Sequence, residues 1–159
     1  MWLVNANVID VVTGERLRGR AVETAPDGTV AQVAAAPPPG SAELAGGGVV
    51  DVGGRWLLPG LISCHTHLSI VFGAADEAEN PALTAYRAAT RATEALRAGV
   101  TTVRCVHEQN RADLLLRTAV ERGWYQAPRI LGAGRAVSTP DGHGAGGACA
   151  WWPTPAAPR

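Results

Sequence analysis

The chain has 159 residues, and its 14 basic groups, all arginines, balance 14 acidic ones, so the formal charge is zero. A neutral chain with no basic cluster interleaved with aromatics is a poor match for nucleic acid or an anionic membrane, and a better one for a small-molecule substrate. Cys64, Cys105 and Cys149 are too few and too far apart for a disulfide framework and suit a reducing cytoplasm, residues 1–10 lack the cationic start of a signal peptide, and no window reaches the ~18 apolar residues that span a bilayer.

Residues 2–12 alternate loosely and are rich in Val and Ile, which predicts a first strand closed by a turn at Thr13-Gly14. Residues 21–24 and 29–34 flank Pro26-Asp27-Gly28 and read as a hairpin. Pro37-Pro38-Pro39-Gly40 is a stiff loop, after which residues 49–52 and 55–58 flank Gly53-Gly54, a second hairpin signal. Residues 1–58 are therefore expected to form a small β-rich subdomain.

From Pro59 the pattern changes. Leu57, Leu58, Leu61 and Ile62 make a nearly continuous apolar run around Pro59-Gly60, as expected of a parallel strand buried on both faces. Asn80-Pro81 supplies an N-cap and a first-turn proline, and Gly99 closes the helix, along which Leu83, Tyr86, Ala89 or Thr90, Thr93 and Leu96 recur at helical spacing. Residues 100–105 predict a β-branched strand, 111–122 a helix stopped by Gly123, and 129–133 a strand after Pro128. Strand alternating with helix is the mark of a parallel sheet with crossover helices. The loops at 69–80, 106–110 and 134–147 then fall at the carboxyl ends of the strands, where barrel enzymes build their sites. Residues 145–159, with Trp151-Trp152-Pro153, Pro155 and Pro158, lack periodicity and read as an unstructured tail.

The chemistry concentrates in His65-Thr66-His67. Side chains alternate across a strand with period two, so His65 and His67 are expected on one face, with Cys64 and Thr66 on the other. Two neutral imidazoles on one face can chelate a divalent ion, with zinc the default for nitrogen ligands. Two histidines that only cap a strand with hydrogen bonds would satisfy the same spacing.

Pro59-Gly60-Leu61-Ile62 followed by His65-Thr66-His67 resembles the entry to the first barrel strand of metal-dependent amidohydrolases, close to their imidazolonepropionase-like and prolidase-like branch. Ala98-Gly99-Val100-Thr101-Thr102-Val103-Arg104 resembles that branch's second strand, and Ala127-Pro128-Arg129-Ile130-Leu131 with Gly142-His143-Gly144 resembles its third strand and loop. The resemblance implies an α/β fold: the first three βα units of a (β/α)8 TIM barrel over residues 59–144, preceded by a β-sandwich subdomain. It implies His65 and His67 as ligands of one or two divalent metal ions and His143 at the mouth of the barrel, within reach of a substrate carbonyl or carboxylate, with a solvent-facing loop histidine as the competing reading; Arg104, at the end of the second strand, is a second candidate substrate contact that would pair a carboxylate. A structural ion pair is the competing role for Arg104. For His107 and Glu108 a purely structural role is favoured.

The activity implied is metal-assisted hydrolysis of an amide, cyclic amide or dipeptide bond. A complete barrel takes about 250 residues, so an N-terminal piece, inactive alone, is expected; the base and closing ligands implied by the resemblance are not in this sequence, which assigns no catalytic residue. Two departures stand out: Ser63 occupies a position where the family usually has aspartate, and Cys105 replaces the aspartate that usually follows the arginine. Cys105 suits a small buried residue better than a metal thiolate. A non-catalytic metal-binding or interaction module, self-associating through an open sheet edge, is the competing reading.

Overall fold

The computed structural model describes residues 1–40, 48–71, 80–137 and 139. His143 and the expected tail at 145–159 lie outside them. The chain divides into two units, Met1–Pro59 and Gly60–Arg159.

In the first unit, β1 (Trp2–Ile9) is the central strand. It pairs antiparallel with β2 (Arg16–Thr24), which pairs antiparallel with β3 (Val30–Ala34) through the expected turn at Pro26-Asp27-Gly28. β1 ends three residues earlier than the Val and Ile content predicts. The Asp10 carboxylate accepts from the amides of Val12 (2.8 Å) and Thr13 (3.2 Å), and this side-chain turn leaves Val11 and Val12 exposed.

The second hairpin does not form. β4 (Val49–Asp51) and β5 (Trp56–Leu57) each run parallel to β1, meeting Trp2–Val4 and Asn7–Val8 in succession. Gly53 and Gly54, both at positive φ, step the chain past a bulge in β1 at Asn5, whose carbonyl accepts from the Gly54 amide at 2.8 Å. A β1 edge already available offers both short segments more backbone partners than they could offer each other. The described residues of this unit form one five-stranded sheet, with Ala6, Val8 and Val22 as its buried cluster.

The described residues of the second unit form a parallel sheet in the order β6 (Leu61–Thr66), β7 (Val100–Cys105), β8 (Arg129–Leu131), with helix α1 (Pro81–Arg97) between β6 and β7 and helix α2 (Ala112–Glu121) between β7 and β8. Gly60 is required by close approach: a Cβ there would stand 2.1 Å from the Thr101 hydroxyl. β8 ends at Leu131, two residues before the predicted limit, and Gly132 after it is also required by close approach, since a Cβ there would meet Leu114 at 2.7 Å and the Asp113 carboxylate at 2.8 Å.

The predicted ends of α1 match the structure. Asn80 Oδ1 accepts from the Ala82 amide at 2.8 Å, and Gly99 follows the helix at φ 88°. Its inward face differs from the Leu83–Tyr86 register. Thr84, Ala88 and Ala92 are buried, while Leu83 and Tyr86 are largely exposed. Small side chains let α1 lie close on the sheet and α2, where Leu or Tyr would hold it off. With Leu68, Val103, Cys105, Ala112, Leu116 and Ile130 these alanines form the core. Both helices contribute to one face only. β6 is at the edge of the described sheet, and Leu61 and Ile62 are exposed rather than buried on both faces as the apolar run suggests.

Candidate metal centre

The two histidines meet at the carboxyl end of β6. His65 Nε2 and His67 Nε2 are 3.3 Å apart, with ring centroids 5.2 Å apart and planes at 72°. Strict alternation fails around His65, where a register shift between Ser63 and Thr66 lets the hydroxyls of these residues, three apart, approach to 2.7 Å. Ser63 thus turns to its own strand, and its hydroxyl also donates to the His65 carbonyl at 3.4 Å.

The His67 tautomer follows from its partner. Nδ1 lies 2.9 Å from the carbonyl oxygen of His107, and a carbonyl only accepts, so Nδ1 is the protonated nitrogen of the neutral ring, the tautomer that leaves the lone pair on Nε2. That is the protonation pattern a metal-binding histidine needs. At Zn–N distances near 2.0–2.1 Å, a tetrahedral ion separates two nitrogens by about 3.3–3.4 Å. The donor chemistry and the spacing therefore fit two positions of such an ion. Among the described residues no group of three or more His, Cys, Asp or Glu is placed to complete it.

Three loops converge behind this pair. Glu108 is buried, and its carboxylate accepts from the amides of Leu68 (2.5 Å) and Ser69 (2.6 Å) and from the Ser69 hydroxyl. On the opposite side of these same residues, Arg91 donates to the carbonyls of Leu68 (3.3 Å) and Ile70 (2.6 Å), and Arg87 to that of Ser69 (2.8 Å). The Leu68–Ser69 peptide is thus aligned between a guanidinium and a carboxylate, which balances the buried charge through the peptide dipole. The Glu108 amide donates to Gly134 O at 2.7 Å, and Asp113 Oδ2 accepts from the Gly134 amide at 2.8 Å, which brings in the loop after β8. His107 Nδ1 accepts from the Ala136 amide at 2.9 Å, and burial, with His67 nearby, holds its pKa below the usual imidazole value.

Arg104 is exposed, and its guanidinium donates to the Cys64 carbonyl at 3.4 Å, one residue from His65. Cys105 is buried in the core; burial, reinforced by the carboxylates of Glu108 and Asp113, pushes its thiol far above the usual range, so it supplies no thiolate. Sequence reasoning favoured a purely structural role for Glu108 and did not connect it with the backbone that follows His67. The visible signal was a carboxylate directly after His107, just past the end of the strand that pairs with β6.

A fold of β-α-β-α-β with a histidine pair at a strand's carboxyl end is the arrangement found where metal-dependent α/β hydrolases begin their site. The amidohydrolase family profile matches residues 56–148, and the chain belongs to that family, which is generally metal-dependent. It is 46% identical over 61 residues to an imidazolonepropionase of Hyphomonas neptunium, covering 38% of this chain and 15% of that protein. A prolidase complexed with N-methylphosphonate-L-proline superimposes with a TM-score of 0.73 at 30% identity, over 91% of this chain and 34% of that one. A putative prolidase from Bifidobacterium longum gives 0.67 at 29% identity, over 91% and 32%. The chain spans about a third of the length of these solved structures. No helix among the described residues is long and apolar enough to cross a membrane.

Proposed function

We propose that this chain carries the first two histidine ligands, His65 and His67, of a divalent metal site, with zinc the ion the imidazole donors favour, in a hydrolase of non-peptide carbon–nitrogen bonds in amides or cyclic amides, or of dipeptides. The observation that carries it is the 3.3 Å separation of the two Nε2 atoms, with the His67 lone pair turned into the gap. β6, β7 and β8 serve as the first three strands of a (β/α)8 barrel over residues 59–144, and residues 1–58 as part of a β-sandwich subdomain. Similarity to prolidase and imidazolonepropionase supports the bond type.

When bound, the ion supplies Lewis acidity that polarises a substrate carbonyl and makes water a better nucleophile. His65 and His67 hold it. Arg104, at the adjacent strand end, and His143 orient the polar groups of a small-molecule substrate. Two histidines are the ligands that the described residues bring together, and a hydrolytic site takes at least three, so on this reading the chain acts with complementary barrel strands and is inactive without them. The exposed Leu61 and Ile62 on β6 suit that pairing, or pairing with a second copy. Free thiols at Cys64 and Cys105 are consistent with a cytoplasmic setting.

Zinc titration of the full chain, followed by the imidazole NMR signals, tests the reading. Saturable binding that disappears in both His65→Ala and His67→Ala is expected, without turnover of dipeptides or N-acyl amino acids. Binding that survives both substitutions sinks it.

A further inference from the structure

We propose that Glu108 is the positioning residue of the histidine pair: its carboxylate clamps the backbone that follows His67, and thereby keeps the adjacent His107 carbonyl on Nδ1 of His67 and Nε2 facing His65. The inference rests on the metal-site reading and adds what orients it.

The geometry is a two-point grip by one dipeptide. The side chain of Glu108 takes the amides of Leu68 and Ser69, the two residues after His67, together with the Ser69 hydroxyl. The main-chain carbonyl of His107 takes the imidazole itself. The Ser69 hydroxyl also accepts from the Gln109 amide at 2.9 Å, closing a ring between the two loops. Glu108 cannot drift, because its own amide is tied to Gly134 and its carboxylate is buried. Three donors meet one carboxylate, and Arg87 and Arg91 hold the other edge of the same backbone. If the carboxylate is lost, the register between residues 67–69 and 107–109 is free to slip. The first casualty is the His107 carbonyl bond, which sets the tautomer. A carboxylate that only filled space would leave that tautomer untouched.

Glu108→Gln keeps the volume but turns an amide donor toward a site built from donors. In the metal-free full-length chain, long-range 15N NMR is expected to show His67 protonated on Nδ1. In Glu108→Gln, with the far-UV circular dichroism retained, the same signals should move toward a mixture of tautomers, and zinc affinity should fall by about 10- to 100-fold, the range for losing a group that orients a ligand. An unchanged tautomer and unchanged zinc affinity overturn the proposal. If the wild-type chain takes up no zinc, the metal-site reading falls while the tautomer comparison still decides the role of Glu108. If Glu108→Gln does not fold, Ser69→Ala removes one of the three donors and carries the same test. A smaller shift of the His67 signals in the same direction supports the clamp, and no shift refutes it.

Discussion

The two units solve the same problem, burying a sheet, by different means. In Met1–Pro59 the strands pair around β1 and the buried cluster is three small or β-branched residues, with Val30, Val33, Val49 and Val50 left exposed. Among the described residues of Gly60–Arg159, two helices cover one face of three strands, and eight residues form the core. Buried polar groups separate the units further: among the described residues, Ser69, Thr84, Glu108 and Asp113 all belong to the second. A sheet backed by helices can hold buried charge at its strand ends, because the helices deliver arginines and the loops deliver amides to satisfy it. The site is where that support is.

The comparison breaks most visibly in the cores. Ile130→Ala should cost about 2–5 kcal/mol in urea unfolding, since Ile130 packs inside the helix-backed cluster, whereas Val33→Ala on the exposed face of β3 should stay within about 0.5 kcal/mol. Equal effects would mean that the two units do not differ in packing as described.

A narrower contrast lies within the second unit. Exposed Cys64 on β6 should react with a thiol reagent readily, and buried Cys105 on the neighbouring β7 only when the core opens. Peptide mapping by mass spectrometry should find Cys105 slower by about tenfold or more, equivalent to about 1.4 kcal/mol. Comparable rates would place β7 outside the core.

The smallest effect concerns pH. The folded state depresses the pKa of His107, so on acidification the unfolded chain takes up the proton first. The stabilising contribution is present above about pH 6.5, the ordinary histidine value, and is lost as pH falls through the folded pKa, together with protection of the Ala136 amide that His107 accepts. A histidine titration by NMR with a midpoint at or above about 6.5 would contradict this.

How legible each feature was depended on its range. The limits of α1 could be read because Asn80, Pro81 and Gly99 act on backbone within a few residues of themselves. Its buried face could not, since which stripe turns inward depends on how closely α1 must approach its neighbours, and there alanine outcompetes leucine. The false hairpin at Gly53-Gly54 has the same origin. The turn residues are correct for a turn, but β1, some fifty positions away, captures both flanking segments. The apolar run at Leu61 and Ile62 reads as a buried strand, yet burial needs covering layers on both sides of the sheet.

Sequence alone determined that two imidazoles stand two residues apart at the end of a strand, because a spacing of two and a local β pattern are properties of the chain itself. Only the tertiary structure decided which nitrogen of His67 carries the proton and which carboxylate holds the loop behind it. Those choices are made by His107 and Glu108, about forty residues downstream, and bonds across that distance exist only after β6 and β7 have paired.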